Sequence, residues 1–156
     1  MTTTHTNHDA HATTSSAVVR RFVDDVLNQG RFDALADIVH PDYRYEGPDG
    51  ARLRGPLELE RLVGSYRTGF SDFHAAITSE VEHGELVAMT MTLTGIHDGE
   101  FEGLPPTGAR MNLPIAVFSR VEDNRIIEDR EFYDTATMLA QLGHDVSPAR
   151  HPSAAH

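Results

Sequence analysis

The chain has no cysteine. That single absence removes disulfides, thiolate nucleophiles, thiolate zinc sites and cysteine-ligated iron–sulfur clusters together. Positive charge is scarce as well. Thirteen Lys and Arg stand against 24 Asp and Glu, for a net charge of −11 with histidine neutral. A surface this acidic repels phosphate backbones and anionic headgroups, so neither nucleic acid nor a membrane is expected as a partner. No apolar run approaches the roughly 18–20 residues of a membrane-spanning helix. The first residues are rich in Thr, His and Ala and lack the apolar stretch of a signal peptide. With no cysteine to oxidise, a cytoplasmic location is the expectation. GxGxxG, GxxxxGK[ST] and GxSxG are all missing, so nucleotide-binding and serine-hydrolase chemistry have no support.

What is present suits one domain, since 156 residues sit near the roughly 150 of a typical single unit. Residues 1–15 and 147–156 read as disordered tails, too polar to offset their ordering entropy. They hold five of the ten histidines. The folded domain is expected over 16–146.

Ser15 or Ser16 can cap a first helix whose apolar residues, Val19, Phe22, Val23, Val26 and Leu27, share one helical face. Asn28, Gln29 and Gly30 stop it. A second short helix carries Leu35, Ile38 and Val39 and ends at His40-Pro41. Asp42 to Glu46 reads as a strand with Tyr43 and Tyr45 on one face, followed by a Gly47–Gly50 turn. Pro56 opens a third helix with Leu59, Leu62, Val63, Tyr66 and Phe70 on its inner face. From there the period changes to two. Phe73, Ala75, Ile77, Ser79 and Val81 alternate with polar residues. Leu86 to His97 follows, with Val87, Met89, Met91 and Leu93 on one face. Met111 to Val121 and Arg125 to Tyr133 complete four long strands, and Asp134 caps a last helix. Short connections make the strands mostly antiparallel, and helices packed on one sheet face make an α+β domain.

This order resembles the nuclear transport factor 2-like cone: three N-terminal helices on a curved, mostly antiparallel sheet, with a short C-terminal helix. The segments HPDYRYEGPDG, RGPLELERLVGSYRTGF, GIHDGEFEGLPPTGAR and FSRVEDNRIIEDREFYDTATMLAQLG are similar to SnoaL-like polyketide cyclases over roughly residues 17–143. The resemblance implies an apolar pocket between sheet and helices, a small-molecule substrate and no cofactor. It also implies acid/base chemistry on a polyketide-like intermediate, commonly an aldol ring closure. The family's general-base aspartate corresponds to Glu131 here, with Asp134 and Gln141 at the matching spacings. An inward histidine of the cyclases corresponds to Val117, and an inward asparagine to Tyr45.

Alternation on the last strand places Ile127, Asp129 and Glu131 on one face and Glu128 and Arg130 on the other. Two carboxylates in an apolar pocket do not both ionise easily, so one should titrate near neutrality. Glu131 and Asp129 are therefore the catalytic candidates, with His97 at a strand end as a partner acid. Tyr45 and Tyr66 are the phenols placed to orient an oxygenated substrate, and Met89, Met91, Val117 and Phe118 complete the expected binding set. No two histidines have the spacing of a metal site on a helix or strand, so no metal is expected. Two other readings stand beside the cyclase: epoxide opening or hydration on the same fold, and a non-catalytic ligand-binding or dimerisation module. All of them predict a homodimer or higher homo-oligomer, because the exposed face of such a sheet needs covering.

Overall fold

The computed structural model describes residues 13–144. Residues 1–12 and 147–156 of the expected tails lie outside the described residues. Residues 13–15 join the fold. Thr14 caps the first helix by accepting from the Ala17 amide, and Ser15 Oγ donates to the Gly84 carbonyl at 2.8 Å.

Helix α1 (Ser15–Arg21) continues without a break into a π-helical stretch, Phe22–Asn28. Its inner face is the predicted one, with Val19, Phe22, Val23 and Val26 buried. Gly30 stops the run at φ 67°, beside the Arg67 guanidinium. That guanidinium donates to the carbonyls of Leu27 and Asn28, supplying partners that a helix end leaves unsatisfied. Asn28 in turn bonds both the amide and the carbonyl of Ala75. The first helix is thereby tied to the third helix and to the sheet.

The second helix, α2 (Leu35–Ile38), is shorter than its pattern implied. Val39 already belongs to strand β1 (Val39–Glu46), which runs through His40 and Pro41. The proline is tolerated because the ladder with the neighbouring strand is interrupted between Val39 and Arg44. A three-residue strand, β2 (Arg52–Arg54), pairs with β1; it is too short to show periodicity. Helix α3 (Gly55–Gly69) follows, with Pro56 in its first turn. Phe70 falls outside it, as the first residue of β3 (Phe70–His83). Strands β4 (Leu86–His97), β5 (Arg110–Glu122) and β6 (Arg125–Phe132) and helix α4 (Thr135–Gln141) complete the order.

The six strands form one sheet in the order β2-β1-β6-β5-β4-β3. Only β1 and β6 are parallel, so the α+β architecture with a mostly antiparallel sheet is the one observed. The core fills the space between α1, α2, α3 and the inner sheet face. Alternation holds on β4, where Val87, Met89, Met91 and Leu93 are all buried. It fails at two bulges. In β3 the register shifts between Ile77 and Ser79, and Val81, expected inside, is 69% exposed. In β6 the partners step from Glu128 to Ile126 while β5 advances one residue, from Arg120 to Val121. Ile127 is the extra residue of that bulge, so Ile126 and not Ile127 is buried with Asp129.

The C-terminal helix closes one end of the inner space. Asp134 caps it through the amides of Ala136 and Thr137. Gln141 holds it to β5 with paired bonds to the Asn112 backbone, both 2.9 Å.

Candidate active site

Strand β6 carries Asp129 and Glu131 on the inner face, flanked by β5 and β1. On β5, Ser119 stands directly opposite Asp129 and Val117 opposite Glu131. The short side chain of Ser119 donates to Asp129 Oδ1 at 2.5 Å. From β1, the Tyr43 hydroxyl donates to Asp129 Oδ2 at 2.8 Å. Both oxygens of Asp129 are therefore engaged. Tyr45 is the register partner of Asp129, but its ring leans along the strand and its hydroxyl donates to Glu131 Oε2 at 3.1 Å. The other oxygen, Glu131 Oε1, has no protein partner among the described residues.

These carboxylates meet hydroxyls and apolar surface, with no cation beside them among the described residues. Burial pushes Asp129 up to about 6, against the pull of the Ser119 and Tyr43 bonds. Burial pushes Glu131 up to about 7; the Tyr45 bond opposes the rise and the Asp129 charge adds to it. Desolvation of the charged form dominates in both.

The two carboxylates and Tyr43 line an inner cavity of about 70 Å³, walled by α1 and α3 on one side and by β4, β5 and β6 on the other. A second basin of about 380 Å³ opens toward α4 and the 101–104 loop, with Leu53, Phe101, Leu104, Met138 and Leu139 in its walls. Tyr45, Leu62 and Tyr66 line both spaces and form a collar between them. A carboxylate near neutrality, with one free oxygen in an apolar chamber, is suited to moving a proton at a carbon α to a carbonyl.

The profile of the SnoaL-like polyketide cyclases matches residues 17–142. This chain belongs to the SnoaL-like polyketide cyclase family. It is 33% identical over 121 residues to the nogalonic acid methyl ester cyclase of Streptomyces nogalater, covering 75% of this chain and 89% of that protein. It is 30% identical over 129 residues to the aklanonic acid methyl ester cyclase DnrD of Streptomyces peucetius, covering 81% and 88%. Among solved structures, wild-type IdmH from Streptomyces antibioticus superposes with a TM-score of 0.72 at 30% identity, over 83% of this chain and 98% of that one.

In this SnoaL-like cyclase the structure gathers most of the residues singled out in the sequence. Asp129, Glu131, Tyr45, Tyr66, Met89, Met91 and Val117 all line the inner cavity. Two expected members are elsewhere. Phe118 is 53% exposed on the outer sheet face, edge-on to Phe132; strand alternation sends it out because Val117 points in. His97 is fully buried but lines neither space. Its strand end packs the ring on Phe70 at 5.3 Å, with Nδ1 3.1 Å from Thr107 Oγ1. It is a core histidine that pins the 104–108 loop, apart from the carboxylates.

Two site residues were missed. Tyr43 shares the face of Tyr45, two residues earlier. Ser119 lies two residues beyond Val117 on an inner strand face. A hydroxyl at an otherwise apolar alternating position was the available signal. Among the described residues, no group of three or more His, Cys, Asp or Glu is arranged to hold a metal ion.

Proposed function

We propose that this protein closes a ring in a neutral polyketide ester by an intramolecular aldol reaction, with Glu131 as the acid/base residue. The observation that carries this is the free Oε1 of a carboxylate raised to about 7 inside the cavity. The ionised Glu131 takes a proton from the carbon α to a carbonyl. The C–H electron pair becomes the C=C of an enolate, whose oxygen gains the negative charge. The enolate carbon then attacks a second carbonyl carbon of the same molecule, forming the C–C bond, and the protonated Glu131 returns its proton to the new alkoxide. Substrate and product are isomers, so the reaction calls for no redox cofactor. Asp129, with both oxygens engaged, does not take the proton; its charge helps keep Glu131 basic.

A neutral substrate fits the walls. The residues lining the two spaces include Asp49, Glu102, Asp129 and Glu131 and no Arg, Lys or His. A free carboxylate entering there would meet only like charge. The two relatives above are named for methyl esters, in which that carboxyl is already neutralised.

The outer face of the sheet supports a homodimer. Phe118 and Phe132 are both about half exposed there, with the Arg130 guanidinium 5.6 Å from the Phe132 ring centre. Exposed aromatics beside arginine are the composition of interface centres. The cysteine-free chain suits a reducing cytoplasm.

The test is to incubate the protein with nogalonic and aklanonic acid methyl esters and follow a ring-closed product of unchanged mass by chromatography. Glu131→Gln should lower turnover by roughly 10²–10⁴-fold. Unchanged turnover would remove Glu131 from the mechanism.

A further inference from the structure

We infer that Tyr66 is a catalytic residue: its hydroxyl donates the hydrogen bond that holds the negative charge on the substrate oxygen while Glu131 carries the proton. The inference rests on the aldol reading above and adds the electrophilic half of the site.

Taking an α-proton puts a full charge on an oxygen in a cavity that has no cation in its walls. Without a donor aimed at that oxygen the step would be very slow, because an apolar chamber solvates an enolate poorly. Hydroxyls are the donors available from the lining side chains of the inner cavity: Tyr43, Tyr45, Tyr66 and Ser119. Each has one proton to give. Tyr43 and Ser119 give theirs to Asp129, and Tyr45 gives its own to Glu131. Tyr66 is bonded to neither carboxylate.

Its position suits the role. Tyr66 comes from α3, on the wall facing the sheet that carries Glu131. It lines both the inner cavity and the outer basin, so a carbonyl reaching Glu131 from the basin passes its hydroxyl. The ring is held by Phe101 at 4.8 Å, Phe73 at 5.6 Å and Phe70 at 6.2 Å between centres. A donor fixed before the charge appears needs no reorganisation when it does. Burial first, and the neighbouring Tyr133 and Glu131 next, hold its phenol well above the ordinary value, so it keeps its proton at any working pH. Tyr133 stands beside it from the end of β6, and the two hydroxyls form a pair in which either can be the donor; when Tyr133 donates, the Tyr66 proton is left for the substrate. Tyr133 is in that sense a positioning residue.

The experiment compares Tyr66→Phe, Tyr133→Phe and Glu131→Gln in two assays. With the methyl esters, Tyr66→Phe should lower kcat by about 100-fold with KM nearly unchanged. The pH inflection set by Glu131 should stay in place, since Tyr66 is not the base. Tyr133→Phe should lower kcat less. The second assay needs no turnover: 2-naphthol, whose fluorescence distinguishes its neutral and ionised forms, stands in for the enolate. The wild-type protein should bind the ionised form, and Tyr66→Phe should weaken that binding at least about tenfold. If Tyr66→Phe melts early, 3-fluorotyrosine at the same position keeps the shape with a more acidic proton and should tighten naphthol binding. A Tyr66→Phe protein with kcat and naphthol binding both near wild type overturns the inference. If the wild-type protein turns over neither ester, the aldol reading fails, and the naphthol assay still decides whether Tyr66 serves an oxyanion.

Discussion

On the outer face of β6, Glu128 pairs with Arg44 at 3.1 Å in a site open to water. On the inner face, Asp129 and Glu131 meet hydroxyls, methionines and aromatic rings. A surface ion pair of the first kind is worth little, on the order of 0–1 kcal/mol. The second setting, with no cation beside it among the described residues to offset desolvation, moves a carboxylate to about 7, where the proposed base would work under neutral conditions. The residue type is the same; the pleat of the strand decides which chemistry it does. The setting of each acid depends on what β5 and β1 present to β6, more than on the number of acids in the chain.

The sharpest way to break this contrast is to neutralise one acid on each face. Glu131→Gln should reduce kcat by roughly 10²–10⁴-fold, and Glu128→Gln should leave it within about twofold, since only an exposed pair is lost. Equal losses from the two variants would mean that the faces do not differ in function.

A smaller effect is expected at Asp129. Its charge helps raise Glu131, so Asp129→Asn should shift the rise of kcat/KM to lower pH, by up to about one pH unit. Stability should respond in a matching way. Both folded-state values, about 6 and about 7, lie above the ordinary 3.9 and 4.3 of unfolded chains. The native state therefore binds more protons than the unfolded state between about pH 4 and 7. Stability from these groups is complete below that window and is lost as the pH climbs through it. The melting temperature of the wild-type protein should fall from pH 5 to pH 8, and the fall should be shallower in the Asp129→Asn, Glu131→Gln double variant.

The frame of the molecule was readable because its signals are local. Val19, Phe22, Val23 and Val26 keep a helical spacing, Val87 to Leu93 alternate, and Asp134 caps a helix with its own side chain. Glu131 and Tyr45 could be placed inside because strand parity and the family frame agreed on them. The errors came where parity is broken or depends on a distant partner. Ile127 was assigned inward because one chain does not reveal a bulge created by its pairing with β5. Phe118 was grouped with Val117, although neighbours on a strand face opposite ways. His97 reads in sequence as a polar residue beside a loop; only the packing of Phe70 and Thr107 shows it to be core. Tyr43 and Ser119 bond a carboxylate on another strand, 86 residues on in one case and 10 in the other, and no local pattern announces such a bond.

The smallest expected effect on chemistry lies on the outer face. Phe118→Asp should leave kcat per chain essentially unchanged, because the side chain points away from the cavity, and should shift the light-scattering mass toward a monomer. A monomeric wild-type protein would contradict the expected dimer.

The most direct test of the central claim is a titration of Glu131 itself, read from the side-chain carboxyl carbon by NMR in ¹³C-labelled protein, with Glu131→Gln to assign the signal. The expected midpoint is near 7. A Glu131 midpoint at the ordinary value of about 4.3 would show that the cavity does not desolvate the carboxylate, and would contradict its role as a base tuned by burial.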